Sequence, residues 1–188
     1  MKRIVALIAA TVAFVAAQPT TKPKPPPAKA AAPWPKEPDG FNVAKFGMSE
    51  QQITELFTVD GCYISNTDTR YCRANLDVGD RSWGLRFEFI DDHLVKISGD
   101  FASDTFQEVR AGFLSKYGPP SGRWNSVVRT RVGVQYQQED LMWSGKKVDF
   151  ILSKYGDDVD SGWFVVSLKG INERDAARRK TAIQNAIK

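Results

Sequence analysis

Between Trp83 and Pro120 the hydrophobic period changes from 2 to 3.6, which restricts the chain to folds in which a β-hairpin runs into a helix. Trp83, Leu85, Phe87 and Phe89 alternate with Ser82, Gly84, Arg86 and Glu88, the pattern of a strand with one buried face. Asp91-Asp92 turns the chain, and Val95, Ile97 and Phe101 return on alternate positions. Asp104 then offers an N-cap for a helix in which Phe106, Val109, Phe113, Leu114 and Tyr117 recur at three- and four-residue steps. Gly118-Pro119-Pro120 ends it, because glycine tolerates the left-handed closing residue and proline cannot continue a helix.

The same signals recur on either side. Ser49 with Gln52 three residues on is a capping box, ahead of an apolar stripe of Ile53, Leu56 and Phe57. Val128, Thr130, Val132, Val134 and Tyr136 alternate with Arg129, Arg131, Gly133 and Gln135, which reads as one strand. Leu141-Met142-Trp143 reads as a short strand, and Val148, Phe150, Leu152 and then Phe164, Val166, Leu168 as two more, separated by the turn formers of residues 156–162. The expected fold is α+β, with helices packed on one face of an antiparallel sheet as two similar helix-plus-hairpin units, residues 41–101 and 103–169. These units fill a domain spanning 39–170. A basic helix over 171–188 follows, started by Asn172 and Asp175 and carrying a thin stripe of Ala176, Ile183 and Ile187.

The formal charge of +4 is unevenly spread. Residues 39–170 hold 15 Lys+Arg against 19 Asp+Glu, or −4; residues 18–38 contribute +3, residues 171–188 another +3, and Lys2-Arg3 the last +2. A mildly acidic body argues against nucleic acid as partner, since such modules carry their basic stripe on the folded face. Lys2-Arg3 followed by the apolar run from Ile4 to Ala17, with Val15-Ala16-Ala17 at its end, reads as a secretory signal over residues 1–17. At 14 residues the run is short for a membrane span. Cleavage would leave no integral span and a periplasmic or secreted protein; an uncleaved anchor is the alternative. Residues 18–38 hold eight prolines and four lysines and read as an extended linker.

Export also gives meaning to the two cysteines. Cys62 and Cys72 flank a polar, turn-forming segment and read as a disulfide across a hairpin-like loop; free thiols or a reactive pair are the alternatives. Closing a loop of about 11 residues would stabilise by roughly 2.5 to 3 kcal/mol in the chain-entropy model. No metal set is evident, because the thiols lack further ligands and His93 is the only histidine. No catalytic residue is assigned either: His93 follows Asp91-Asp92 at a turn, and neither a Gly-rich phosphate loop nor a Gly-x-Ser-x-Gly elbow occurs. Asp158-x-Asp160-x-Gly162 has a calcium-loop look, but Lys169 stands where the bidentate Glu belongs. No cofactor is implied.

Binding is better supplied. Trp124, in an expected loop after the second helix, and Trp163, of opposite parity to Phe164, fall outside the apolar stripes. With Arg129, Arg131, Gln135 and Met142 they make a candidate protein-binding face, of residue types enriched at interfaces. Arg129 and Arg131, two apart, are expected on one strand face, with Glu139, Asp149 or Asp160 as internal partners or an acidic ligand as an external one.

Two motifs carry a family resemblance. Phe46-Gly47-Met48-Ser49-Glu50-Gln51-Gln52-Ile53 resembles the Gly-Met-Thr/Ser-x-x-x-Val/Ile start of small bacterial envelope modules, the SmpA/OmlA-type assembly lipoproteins and the β-lactamase-inhibitor-protein-like domains. Leu114-Ser115-Lys116-Tyr117-Gly118-Pro119-Pro120 is similar to a helix end of exported proteins of that design. The lipid-attachment cysteine of the lipoproteins is not present. The resemblance implies an exported, non-catalytic binding or envelope-assembly module whose partner is an unidentified envelope or secreted protein. The competing expectations are a hydrolase of envelope polymers and a purely structural adaptor.

Overall fold

The computed structural model describes residues 34–66 and 69–171, with Glu173, Arg174, Ala177, Lys180, Thr181 and Gln184. The expected signal over 1–17, the expected linker up to residue 33, Thr67 and Asp68 of the polar segment, and Asn172, Asp175, Ala176, Ile183 and Ile187 of the expected C-terminal helix lie outside the described residues. Ile171 and the described residues after it have helical backbone.

After a small ladder of β1 (Gly40–Phe41) and β2 (Ala44–Lys45) comes α1 (Glu50–Leu56), then β3 (Val59–Asn66), β4 (Thr69–Val78), β5 (Arg81–Ile90) and β6 (His93–Ala102). A 3-10 turn (Ser103–Thr105) leads into α2 (Phe106–Tyr117), followed by β7 (Gly122–Arg129), β8 (Gln135–Ser144), β9 (Val148–Ser153) and β10 (Ser161–Leu168). Strands β3 to β10 form one eight-stranded sheet in the order β3-β4-β5-β6-β10-β9-β8-β7, antiparallel at every ladder. α1 and α2 thus each precede a four-strand meander, and the last strands of the two meanders, β6 and β10, pair at the centre.

The expected α+β arrangement of helices packed on one face of the sheet in two helix-plus-hairpin units is therefore corrected: the described residues are mostly antiparallel β-sheet, and the two helices that precede its meanders have only 7 and 12 residues. The physical reason lies in segments that alternation alone does not reveal. The polar stretch around the cysteines is two strands, β3 and β4, because cross-strand pairing from Val59 to Ala74 satisfies its backbone. Residues 122–125, read as a loop, belong to β7, and the short strand at 141–143 lies within the ten-residue β8.

Ser49 closes the capping box as expected: its hydroxyl accepts from the Gln52 N–H, and the Gln52 side chain accepts from the Ser49 N–H at 2.9 Å. Asp104 does not cap α2. The chain enters through the 3-10 turn instead, and the Asp104 carboxylate faces Arg81 at 3.5 Å. Gly118 ends α2 with φ at 80°. Phe113 of α2 meets Phe41, Trp83, Phe150 and Phe164 in a continuous aromatic core at centroid distances of 4.9 to 6.5 Å. Cys62 and Cys72 stand opposite one another in the β3–β4 ladder and form the disulfide.

The end of the Pro/Lys-rich stretch is fastened to the domain. Trp34 is 9% exposed and donates its indole N–H to the Tyr117 carbonyl at 2.8 Å. Glu37 accepts from the backbone N–H groups of Lys146, Lys147 and Val148 at 3.0, 2.5 and 2.7 Å, closing the β8–β9 turn. A negative charge held by several convergent amides is the same solution used at helix N-termini.

Candidate functional site

Side chains alternate across a sheet, so register decides which candidates meet. Phe164, Val166, Phe150, Leu152, Leu141 and Trp143 share the core face, so the residues between them face the other way. On that second face Met142, Ile151 and Val165 are cross-strand neighbours, since Met142 pairs with Ile151 and Ile151 with Val165. One rung away Trp124 pairs with Asp140, Asp140 with Ser153, and Ser153 with Trp163. Trp124, Met142 and Trp163 are thus brought to one face, Trp163 half-buried and Trp124 52% exposed. Trp124 is a strand residue whose ring lies over Gly122, where a Cβ would come within 2.7 Å of it.

The other three candidates lie elsewhere. β7 ends at Arg129, and Thr130 to Val134 make the turn into β8, with Gly133 at φ 89°. The single strand expected through residues 128–136 is two strands and a turn, because Gly133 supplies a left-handed residue that alternation counting does not register. Arg131 sits in the turn and Arg129 and Gln135 face each other at its base, so the arginines do not share a strand face. All three are exposed. Glu139 does not serve them: its Oε1 accepts from Arg110 Nε of α2 and Arg123 Nε of β7, each at 3.0 Å. Asp149 faces Lys169 at 3.6 Å. Among the described residues neither Arg129 nor Arg131 has an ion-pair partner.

What these three residues share is a projecting hairpin. β9 pairs with β8 only over Asp140–Ser144, so Gln135–Glu139 have β7 on one side and, among the described residues, no strand on the other. Its root is tied by the Glu139 pairs, by Tyr136 against Tyr155 at 5.7 Å, and by Gln138, whose amide bonds Ser153 and the Tyr155 backbone. Beyond that root the arm exposes Val127, Val132 and Val134, at 47%, 85% and 49%. Sequence reasoning placed Val132 and Val134 on the apolar face of one strand and did not single out Val127; the signal against that placement was Gly133 inside an apparently regular alternation.

The two outer strands of the sheet differ. The β3–β4 ladder carries register shifts between Val59 and Gly61 and between Ile64 and Asn66. The β7–β8 ladder runs through eight consecutive pairs without a shift. Bulges spoil the regular row of N–H and C=O groups that an added strand needs, so among the described residues β3 is a guarded edge and β7 an open one.

The electrostatics beside Trp163 are acidic. Asp100, its partner on β6, has its carboxyl pushed up, chiefly by burial, with Arg86 opposing and Asp157 and Asp158 adding to the rise. Asp158 is held below the ordinary carboxylate range by the Ser161 hydroxyl and by the Ser161 and Asp160 N–H groups. Those local bonds account for the calcium-like spacing as a turn. The disulfide uses both thiols, and His93 sits exposed with Nδ1 2.6 Å from the Asp91 carbonyl. Comparison with protein-family models, curated proteins and solved structures finds no match to this chain.

Proposed function

We propose that the protein is an exported, non-catalytic binding module that takes an extended segment of an envelope or secreted partner protein along β7 and the β7–β8 arm. The observation that carries this reading is the unguarded β7 edge, regular over eight pairs and flanked by the exposed Trp124 and Val127. Strand addition to such an edge draws affinity from main-chain hydrogen bonds and specificity from alternate side chains. On the sheet face these would meet Trp124 and Met142; at the arm end Arg129 and Arg131 favour an acidic residue on the partner. The signal-like N-terminus and the paired cysteines support export, and the motif resemblance to envelope modules points the same way. His93, engaged at an exposed turn, is assigned no chemistry in this reading.

The test is affinity capture from envelope and secreted fractions with the purified protein as bait and the Trp124→Ala/Val127→Lys double variant as control. The expected result is a partner that the variant loses, together with slowed amide exchange in β7 of the complex. Equal capture by a variant of unchanged melting temperature would reject the β7 edge as the site.

A further inference from the structure

A cleft of 740 Å³ opens between α2 and the turn joining β4 to β5. Its floor is aromatic: the Trp83 and Phe41 rings lie 6.5 and 6.3 Å from Phe113, and Trp83 is only partly buried. On the helix wall Glu108, Gly112 and Lys116 follow at four-residue steps, a stripe about 12 Å long at 1.5 Å per residue. Glu108 faces the cleft from this wall and Asp80 from the opposite lip, and among the described residues neither has an ion-pair partner. Asp104, by contrast, is matched to Arg81. Lys116 marks the far end, its Nζ 6.0 Å from the Phe41 ring centroid.

Gly112 is the second observation. A glycine inside a helix costs about 1 kcal/mol relative to alanine, and close packing is the usual reason to keep one. Here a Cβ would meet nothing within 4 Å. The fold does not need this glycine; its effect is to leave the middle of the cleft open down to the helix backbone.

We propose that the cleft binds an extended, polyproline-type peptide segment, with a Lys or Arg toward Glu108 and Asp80 and its prolines crossing Gly112 onto Trp83 and Phe113. The helix wall has its backbone bonded within itself, so a ligand there is held through side chains. That suits a polyproline helix, which needs no ladder partner and whose φ is already fixed. Four residues of it, at about 3.1 Å each, span the stripe. The free carboxylates set the charge of the ligand, and Lys116 sets its direction by repelling a cation at the other end.

The test is fluorescence anisotropy of the purified protein with a labelled Lys-Pro-Pro-Pro-Pro-Ala peptide, against one peptide with Glu for Lys and another with Ser for Pro. Saturable binding is expected for the first and at least tenfold weaker binding for both controls. Gly112→Leu projects into open space and should weaken binding tenfold or more without lowering the melting temperature. Glu108→Lys should reverse the preference toward the Glu peptide, which decides the matter if Gly112→Leu does not fold. The Trp124→Ala/Val127→Lys variant should bind the peptide unchanged, so failure of the β7 reading and failure of this one are distinguishable. Absence of saturable binding, equal binding of the Ser peptide, or full binding by folded Gly112→Leu would overturn the proposal.

Discussion

A Cβ placed on Gly99 would lie 2.5 Å from ring carbons of Phe164, the residue directly opposite it. The pair sits in the β6–β10 ladder that joins the two meanders, and the empty position on one strand is filled by the ring of the other. Phe164 is fully buried and lies 4.5 Å from Phe41 and 5.8 Å from Trp83. Gly99→Ala should therefore overpack this seam and cost about 1 to 3 kcal/mol in denaturant unfolding. Trimming the ring with Phe164→Leu should recover part of that loss in the double variant. Simple addition of the two losses would show that the residues are not coupled.

The cysteines make a second prediction. The intact protein should weigh two hydrogens less than its sequence mass, and Cys72→Ser should lower stability by about 2.5 to 3 kcal/mol. Amide exchange should rise first in β3, the edge strand that Cys62 fastens to β4. Free thiols in protein taken from an oxidising compartment would contradict this.

Acid should release the N-terminal fastening. Burial raises the Glu37 carboxyl, but the N–H groups of Lys147, Lys146 and Val148, with Lys169 nearby, outweigh it and hold the group below the ordinary 4.5. A depressed folded value means that the stabilisation is full above the unfolded value and is lost as pH falls through the folded one. Glu37→Gln should cost on the order of 1 kcal/mol at pH 7 after solvent screening, and wild type and variant should converge well below the ordinary value. The Trp34 indole resonance, set by its bond to Tyr117, provides the local readout. A stability gap that stays constant across the acid range would contradict the assignment.

Arg129→Ala with Arg131→Ala should leave the melting temperature nearly unchanged, a difference within about 1 kcal/mol, because both side chains are exposed and neither is ion-paired among the described residues. Weakened partner capture at unchanged stability is the expected result. A large loss of stability with capture intact would assign the arginines to the fold.

What the sequence made legible was local. The β5–β6 hairpin, α2 and its glycine stop, the capping box at Ser49 and the cysteine pair all depend on neighbours within a few residues, where period and capping chemistry act. The strand around Trp124 and the polar strands at the cysteines were hidden because their ladders join partners through pairing rather than through an apolar stripe. Likewise, grouping Arg129, Arg131 and Gln135 with Trp163 assumed a register that Gly133 breaks. Glu37 and Gly112 carried no periodic signal: one acts across 111 positions on the Val148 N–H, and the other through the absence of a side chain.

The unlike edges of the sheet limit how far it can grow. An edge strand that accepts another strand normally threatens runaway stacking, since each added sheet offers a fresh template on its far side. Here only β7 is a regular template, while β3 at the other margin is interrupted by two register shifts. A second copy pairing through its own β7 would use up both regular edges and leave only the two interrupted β3 margins, so that association stops at a closed pair instead of propagating into a fibre.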